Sequence, residues 1–219
     1  MSEAAPGTLT DDPVQVEVLR TETPFTGRVW NIRRDAFAYN GDTIVREYVD
    51  HTGAVAVLAM DDQERVLLIK QYRHPVRARD WEIPAGLLDV AGEDALAAAQ
   101  RELAEEADLT ASRWDVLSDF YTSPGGSDEA IRVYLARDLA PAAEVFARGE
   151  EEADIEVRWA SLDEVVDAVL ARRVQNPSLA IGALAAHAAR ARGWATLAPG
   201  DAPWPQRPRP LGETPGRDA

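Results

Sequence analysis

In the run Arg101-Glu102-Leu103-Ala104-Glu105-Glu106, three carboxylates fall at offsets of zero, three and four. On a helix that spacing sets Glu102, Glu105 and Glu106 on one face. Carboxylates this close repel and raise one another's pKa unless a cation compensates, and Mg2+ or Mn2+ is the kind of cation that carboxylate, carbonyl and water oxygens suit. The triplet alone does not decide the matter, because acidic clusters on helices are most often solvated faces. A second acidic run, Glu150-Glu151-Glu152-Ala153-Asp154, follows Gly149 ahead of a strand-like segment and reads either as a solvated charge run or as the source of a general base.

The elements that must position these groups can be read from hydrophobic period. Leu96, Ala99, Leu103 and Ala107 recur at three- and four-residue intervals, which predicts a helix over Glu93 to Ala107. Val14 to Asp50 alternates apolar and polar residues, the pattern of about three antiparallel strands, with Asn40-Gly41 as a hairpin turn. The apolar runs Ala54 to Met60 and Val66 to Ile69 predict paired core strands, and further strands are expected at Asp115 to Leu117, Ile131 to Ala136 and Ile155 to Trp159. Ser161 and Glu164 have the spacing of a capping box, so a helix should begin there. Asn176 with Pro177 opens another, closed near Gly193. The order is that of a mixed α/β protein.

Taken with Gly86, Glu93 and Leu109, the series Arg101-Glu102-Leu103-x-Glu105-Glu106 resembles the Nudix box, the signature of hydrolases acting on nucleoside diphosphates linked to another group. Two departures are visible. The gap from Gly86 to Glu93 is one residue longer than the usual pattern, and Asp108 stands where the box normally has glycine. The longer loop costs little. The flanking segments Gln71-Tyr72-Arg73, Ile83-Pro84-Ala85-Gly86 and Ser123-Pro124-Gly125-Gly126-Ser127-Asp128-Glu129 resemble the ADP-ribose pyrophosphatase branch, in which a proline follows the box by about fifteen residues, as Pro124 follows Leu109.

The resemblance implies an α/β/α sandwich with a mixed sheet, preceded by a small N-terminal antiparallel sheet. It implies Glu102 and Glu106 as metal ligands, Glu105 in support, the Ala85 carbonyl as a backbone ligand, and Arg101 orienting the carboxylates. Glu151, then Glu152, is implied as the base that activates water. Arg73, Glu82, Pro124, Ser127, Asp128 and Glu129 are implied for substrate binding, although a plain turn built on Pro124-Gly125-Gly126 is an equal reading of that loop. Trp30, Phe37 and Arg73 could stack on a base or simply pack. The expected reaction is Mg2+- or Mn2+-dependent hydrolysis of ADP-ribose to AMP and ribose 5-phosphate. Alternatives are another nucleoside diphosphate sugar such as GDP-mannose, or a sensing module that binds without cleaving. The intact box glutamates disfavour the latter.

Composition narrows the classes further. With 23 basic and 38 acidic residues in 219, the net charge of −15 lacks the basic surface that nucleic acid or an anionic membrane would require. There is no cysteine, and His51, His74 and His187 are scattered, so a thiolate or imidazole metal cage is excluded and any metal is held by oxygen. No secretory pattern or membrane-length apolar run is found, and a cytoplasmic location is expected. The expected layout is a dimerisation sheet over 1–50, a catalytic domain over 51–195 and a proline-rich flexible tail over 196–219. A homodimer follows because a three-stranded sheet cannot bury a core alone.

Overall fold

The uninterrupted apolar run from Ala54 has the pattern of a strand buried on both faces. In the computed structural model, which describes residues 9–143, 155–205 and 207, it forms β4 (Ala54–Ala59) with all six residues buried. Before it come β1 (Glu17–Thr26), β2 (Asn31–Tyr39) and β3 (Asp42–Asp50). After it come β5 (Arg65–Arg73), β6 (Ala78–Glu82), β7 (Ala85–Leu87), α1 (Ala95–Ala107), β8 (Leu109–Tyr121), β9 (Ala130–Pro141), β10 (Glu156–Ser161), α2 (Leu162–Leu170), α3 (Pro177–Arg190) and β11 (Ala198–Pro199). The chain divides into two compact units with the boundary between Asp50 and His51.

The first unit is the antiparallel sheet β1-β2-β3. Asn40 and Gly41 both take positive φ, 52° and 86°, as a two-residue hairpin turn demands, and Tyr39 pairs with Asp42 across it. None of its described residues is buried, and Val18, Leu19, Phe25, Val29 and Val45 are exposed.

In the second unit, a five-stranded mixed sheet runs β11-β8-β9-β4-β7, with β4 and β9 parallel, beside a three-stranded antiparallel sheet β10-β5-β6. Alternation along β4 sorts its side chains. Val55, Val57 and Ala59 share a core with Ala98, Ala99 and Leu103 of α1, while Ala54, Ala56 and Leu58 share one with Leu162 and Val165 of α2 and Leu179 and Ala183 of α3. Helices therefore cover both faces in an α/β/α sandwich. The short β6 and β7 carry no periodicity of their own and were not expected, although β7, with β4 and β8, is one of the strands that meet α1.

Both later helices begin at the expected caps. Asn176 accepts from the Leu179 amide at 3.0 Å, and Ser161 accepts from the Glu164 amide at 3.2 Å. The Glu164 carboxylate, however, pairs with Arg158.

The expected flexible tail needs correction in its first half. Ala198 and Pro199 pair with Val116 and Asp115 of β8, and Trp204 packs against the core that contains α1. Proline is tolerated because β11 sits at the sheet edge, where a missing N–H leaves no gap in the ladder. The clamp is Arg132 of β9, only 3% exposed. It forms a bidentate pair with Asp119 (2.8 and 2.8 Å), donates to the carbonyls of Ala202 (2.6 Å) and Pro203 (3.1 Å), and lies over the Trp204 ring at 4.9 Å. Burial opposes its charge, but Asp119 holds its pKa above the ordinary arginine value. Residues 208–219 lie outside the described residues. Arg132→Met should lower stability by about 3 kcal/mol, the effect of breaking a buried ion pair. Urea unfolding checks this, with the exposed Arg46→Met as control, and an unshifted midpoint would show that the clamp contributes nothing.

Candidate active site

Helix α1 starts two residues later than its periodicity suggests. Asp94 is its N-cap, accepting from the Ala97 amide at 2.8 Å, and Glu93 stands just ahead of the first turn. The helix ends at Asp108, which takes φ 54° and ψ 34° and donates its amide to the Ala104 carbonyl at 3.1 Å. This left-handed position is the one a glycine would favour, and aspartate is among the few other residues that tolerate it. The substitution at the box position therefore leaves the helix exit in place.

Along α1, Leu103 and Ala99 face the core, which turns Glu102, Glu105 and Glu106 towards β7 and the loop ahead of the helix. Glu106 is 5% exposed, and one of its carboxylate oxygens accepts from the Ala85 amide at 2.9 Å. Glu102 lies against Gly86: a Cβ on that residue would overlap the Glu102 carboxylate. Arg101 gathers the rest. Its guanidinium makes two bonds of 3.0 Å to Glu93, and one nitrogen reaches Glu102 at 2.6 Å and Glu105 at 3.1 Å. Glu93 and Glu102 push the Arg101 pKa well above its ordinary value, so it is a permanent counter-charge for three carboxylates.

All of these donors are oxygens, and their chemistry fits a hard divalent cation. Glu102, Glu106 and the Ala85 carbonyl could hold one, with Glu105 at the rim. Among the described residues, no three histidine, aspartate or glutamate side chains are gathered closely enough to hold a metal as they stand. Glu102 and Glu105 are turned to Arg101, and Glu106 to the Ala85 amide.

A second charged pair sits two residues ahead of Pro84. Glu82, at the end of β6 and 2% exposed, takes a bidentate pair from Arg73 of β5 (2.9 and 2.8 Å) and a longer contact from Gln71 at 3.4 Å. The Arg73 side chain is 42% exposed, so its stem and one edge are anchored while part of it faces solvent.

The loop between β8 and β9 is a turn on Pro124-Gly125-Gly126, with the amides of Gly126 (2.8 Å) and Ser127 (2.9 Å) donating to the Ser123 carbonyl. Its acidic residues make contacts within this unit. Asp128 accepts from the His51 amide at 2.8 Å, and the Glu129 carboxylate takes Thr122 Oγ1 on one oxygen (2.6 Å) and His51 Nε2 on the other (3.1 Å). Ser127 Oγ accepts from the Glu129 amide at 3.1 Å. His51 and Thr122 were not singled out by the sequence as parts of this loop's machinery. No spacing rule could find His51, because it and Asp128 are 77 residues apart. Glu151 and Glu152 lie outside the described residues.

Comparison with known proteins agrees with the box. The NUDIX domain family matches residues 50–180. An ADP-ribose pyrophosphatase from Mycobacterium tuberculosis is 45% identical over 88% of this chain and 92% of its own length. One from Bacillus subtilis is 36% identical over 76% of this chain and 90% of its own. Among solved structures, the crystal structure of an ADP compounds hydrolase aligns with a TM-score of 0.64 at 20% identity, covering 84% of this chain and 99% of that one.

Gly86→Ala tests the close approach. The flexible Glu102 carboxylate is what must move, so the protein should keep its melting temperature while Mn2+ binding weakens by roughly 10–100-fold, as when a group positioning a ligand is lost. Titration calorimetry reads the binding, and unchanged affinity would separate Glu102 from the metal.

Proposed function

The chain belongs to the Nudix family, and on that premise we propose that it hydrolyses the pyrophosphate bond of ADP-ribose to AMP and ribose 5-phosphate. The observation that carries the reading is the meeting of oxygen donors where α1 approaches β7, with Glu102 and Glu105 held by Arg101, Glu102 against Gly86 and Glu106 on the Ala85 amide, a donor set suited to a cation beside a phosphate chain. The pyrophosphatases from M. tuberculosis and B. subtilis, similar over most of this chain, support the substrate.

When bound, a divalent cation, Mg2+ or Mn2+, would supply positive charge beside the pyrophosphate and would acidify the attacking water. Glu102, Glu106 and the Ala85 carbonyl are the proposed ligands, with Glu105 in support. Arg101 holds the Glu102 and Glu105 carboxylates in orientation. Arg73, braced by the buried Glu82, offers its exposed part to the substrate, and Ser127, Asp128 and Glu129 shape the loop on which the substrate rests. Glu151, or failing that Glu152, takes the proton of the attacking water. The water oxygen bonds to one phosphorus as the bond from that phosphorus to the bridging oxygen breaks.

Chromatography of the products with Mg2+ present should show AMP and ribose 5-phosphate from ADP-ribose. EDTA should abolish turnover and excess Mg2+ restore it; full activity without metal refutes the mechanism. Glu151→Gln should cut kcat about 100-fold or more while metal affinity holds, the usual range for a lost general base. The same loss at Glu152 alone would move the base by one residue.

The first unit is proposed as the dimer contact. Its exposed Val18, Leu19, Phe25, Val29 and Val45, with no buried residue among those described, need a partner surface, and a second copy is the commonest one. The substrate partner is a small nucleotide sugar, the acidic charge argues against nucleic acid, and the cytoplasm is the proposed site of action. Removing residues 1–50 should give a monomer with impaired substrate binding. A truncated chain that stays dimeric would refute the dimer contact, and a folded, truncated monomer with full kcat/KM would show that the contact does not serve substrate binding.

A further inference from the structure

His51 is 8% exposed and stands three residues ahead of β4, between the two segments that matter most to the site. On one side, Gly53 accepts from the Leu88 amide at 3.0 Å, and Ala54, Val55 and Ala56 pair with Leu87, Gly86 and Ala85 of the box strand. On the other, Ala54 pairs with Ile131, two residues beyond Glu129. The imidazole is wired at both nitrogens. Nδ1 accepts from the Gly53 amide at 2.9 Å, and because a backbone N–H can only donate, Nδ1 carries no proton. The ring's proton is then on Nε2, which donates to the Glu129 carboxylate at 3.1 Å. Thr122 Oγ1 donates to the other Glu129 oxygen at 2.6 Å, so the carboxylate is gripped from both ends. The His51 amide also holds Asp128. Burial lowers the imidazole pKa against the pull of Glu129 and Asp128, in keeping with the neutral ring that the bonds require.

We propose that His51 is a positioning residue for the substrate loop: its neutral imidazole bridges the Gly53 amide to Glu129 and so fixes the 122–129 loop in register with the box strand β7. This rests on the assignment of that loop to ADP-ribose binding. A fixed carboxylate lets the loop meet the substrate without first being ordered, which lowers KM and leaves the chemical step untouched. The alternative role, a histidine that merely fills space, makes no demand on the Nε2 proton.

Two substitutions separate these roles. His51→Asn keeps an acceptor for the Gly53 amide but offers nothing to Glu129, whereas His51→Gln places an N–H near the Nε2 position. His51→Asn should raise KM for ADP-ribose about tenfold, the effect of one hydrogen bond to a charged group, with kcat changed by less than about twofold. His51→Gln should stay within about threefold of the wild-type KM. Amide exchange over residues 122–129, measured without substrate, should quicken in His51→Asn and remain slow in His51→Gln. Thr122→Val, which removes the opposite grip, should reproduce the faster exchange and stands in if His51→Asn does not fold. Wild-type exchange in His51→Asn or Thr122→Val, or equal impairment of the Gln and Asn variants, overturns the proposal. Because exchange needs no substrate, failure to hydrolyse ADP-ribose would refute the substrate assignment without being mistaken for failure of the His51 bridge.

Discussion

Glu102, Glu105 and Glu106 repel one another across barely more than one helical turn, and the catalytic unit is arranged around that repulsion. Arg101, itself on α1, bonds to Glu102, Glu105 and the preceding Glu93, while the Ala85 amide takes Glu106. The bond between Glu106 and the Ala85 amide cannot form unless α1 lies close against β7. Gly86 makes that approach sterically feasible, and the small Ala98 and Ala99, one turn ahead of Glu102 and Leu103, let the helix sit close to β4. The sheet order serves the same need: β4 lies between the edge strand β7 and the central β9, and so carries both the box strand and the strand that leaves the Glu129 loop.

Charge elsewhere in the unit follows a similar economy. The chain is strongly acidic, yet its more buried charges are paired with partners from different elements: Glu82 with Arg73, and Asp119 with Arg132. Each pair ties strands that are adjacent in the sheet, so the pairing supplies register as well as neutralisation. His51 performs a comparable task while neutral. It offers one acceptor and one donor at fixed positions, which a permanently charged lysine or arginine could not do.

The helix of the box was legible because a 3.6-residue period and a fixed set of charges coincide over Glu93 to Ala107, and local geometry alone places the three glutamates together. The core strand from Ala54, the Asn40-Gly41 hairpin and the caps at Ser161 and Asn176 were legible for the same reason, since each depends on neighbours in sequence. The expected pairing of Ala54–Met60 with Val66–Ile69 is corrected: apart from a Met60–Val66 bridge, β4 pairs with β7 and β9 while β5 pairs with β6 and β10 in another sheet. The strands β6 and β7 were not. Three to five residues hold too few side chains to show a period, and they become strands only because β5 and β4 present ladders to them. The segment from Ala198 to Trp204 misled by composition. Proline-rich sequence usually cannot repay its ordering entropy, but here the buried Arg132 offers bonds to two carbonyls and a surface for an indole.

What the sequence determined by itself was thus the chemistry: which residues could bind a cation, on which helix, within which family of hydrolases, because those facts reside in residue type and short-range spacing. What only the tertiary structure decided was who holds whom. Gly86 beneath Glu102, Arg132 across the C-terminal segment, and His51 joined to Glu129 are contacts between residues separated by up to about eighty positions. Hydrogen bonds between such residues depend on how strands are ordered in a sheet, and sheet order is settled by the burial of whole faces, a property of no single segment.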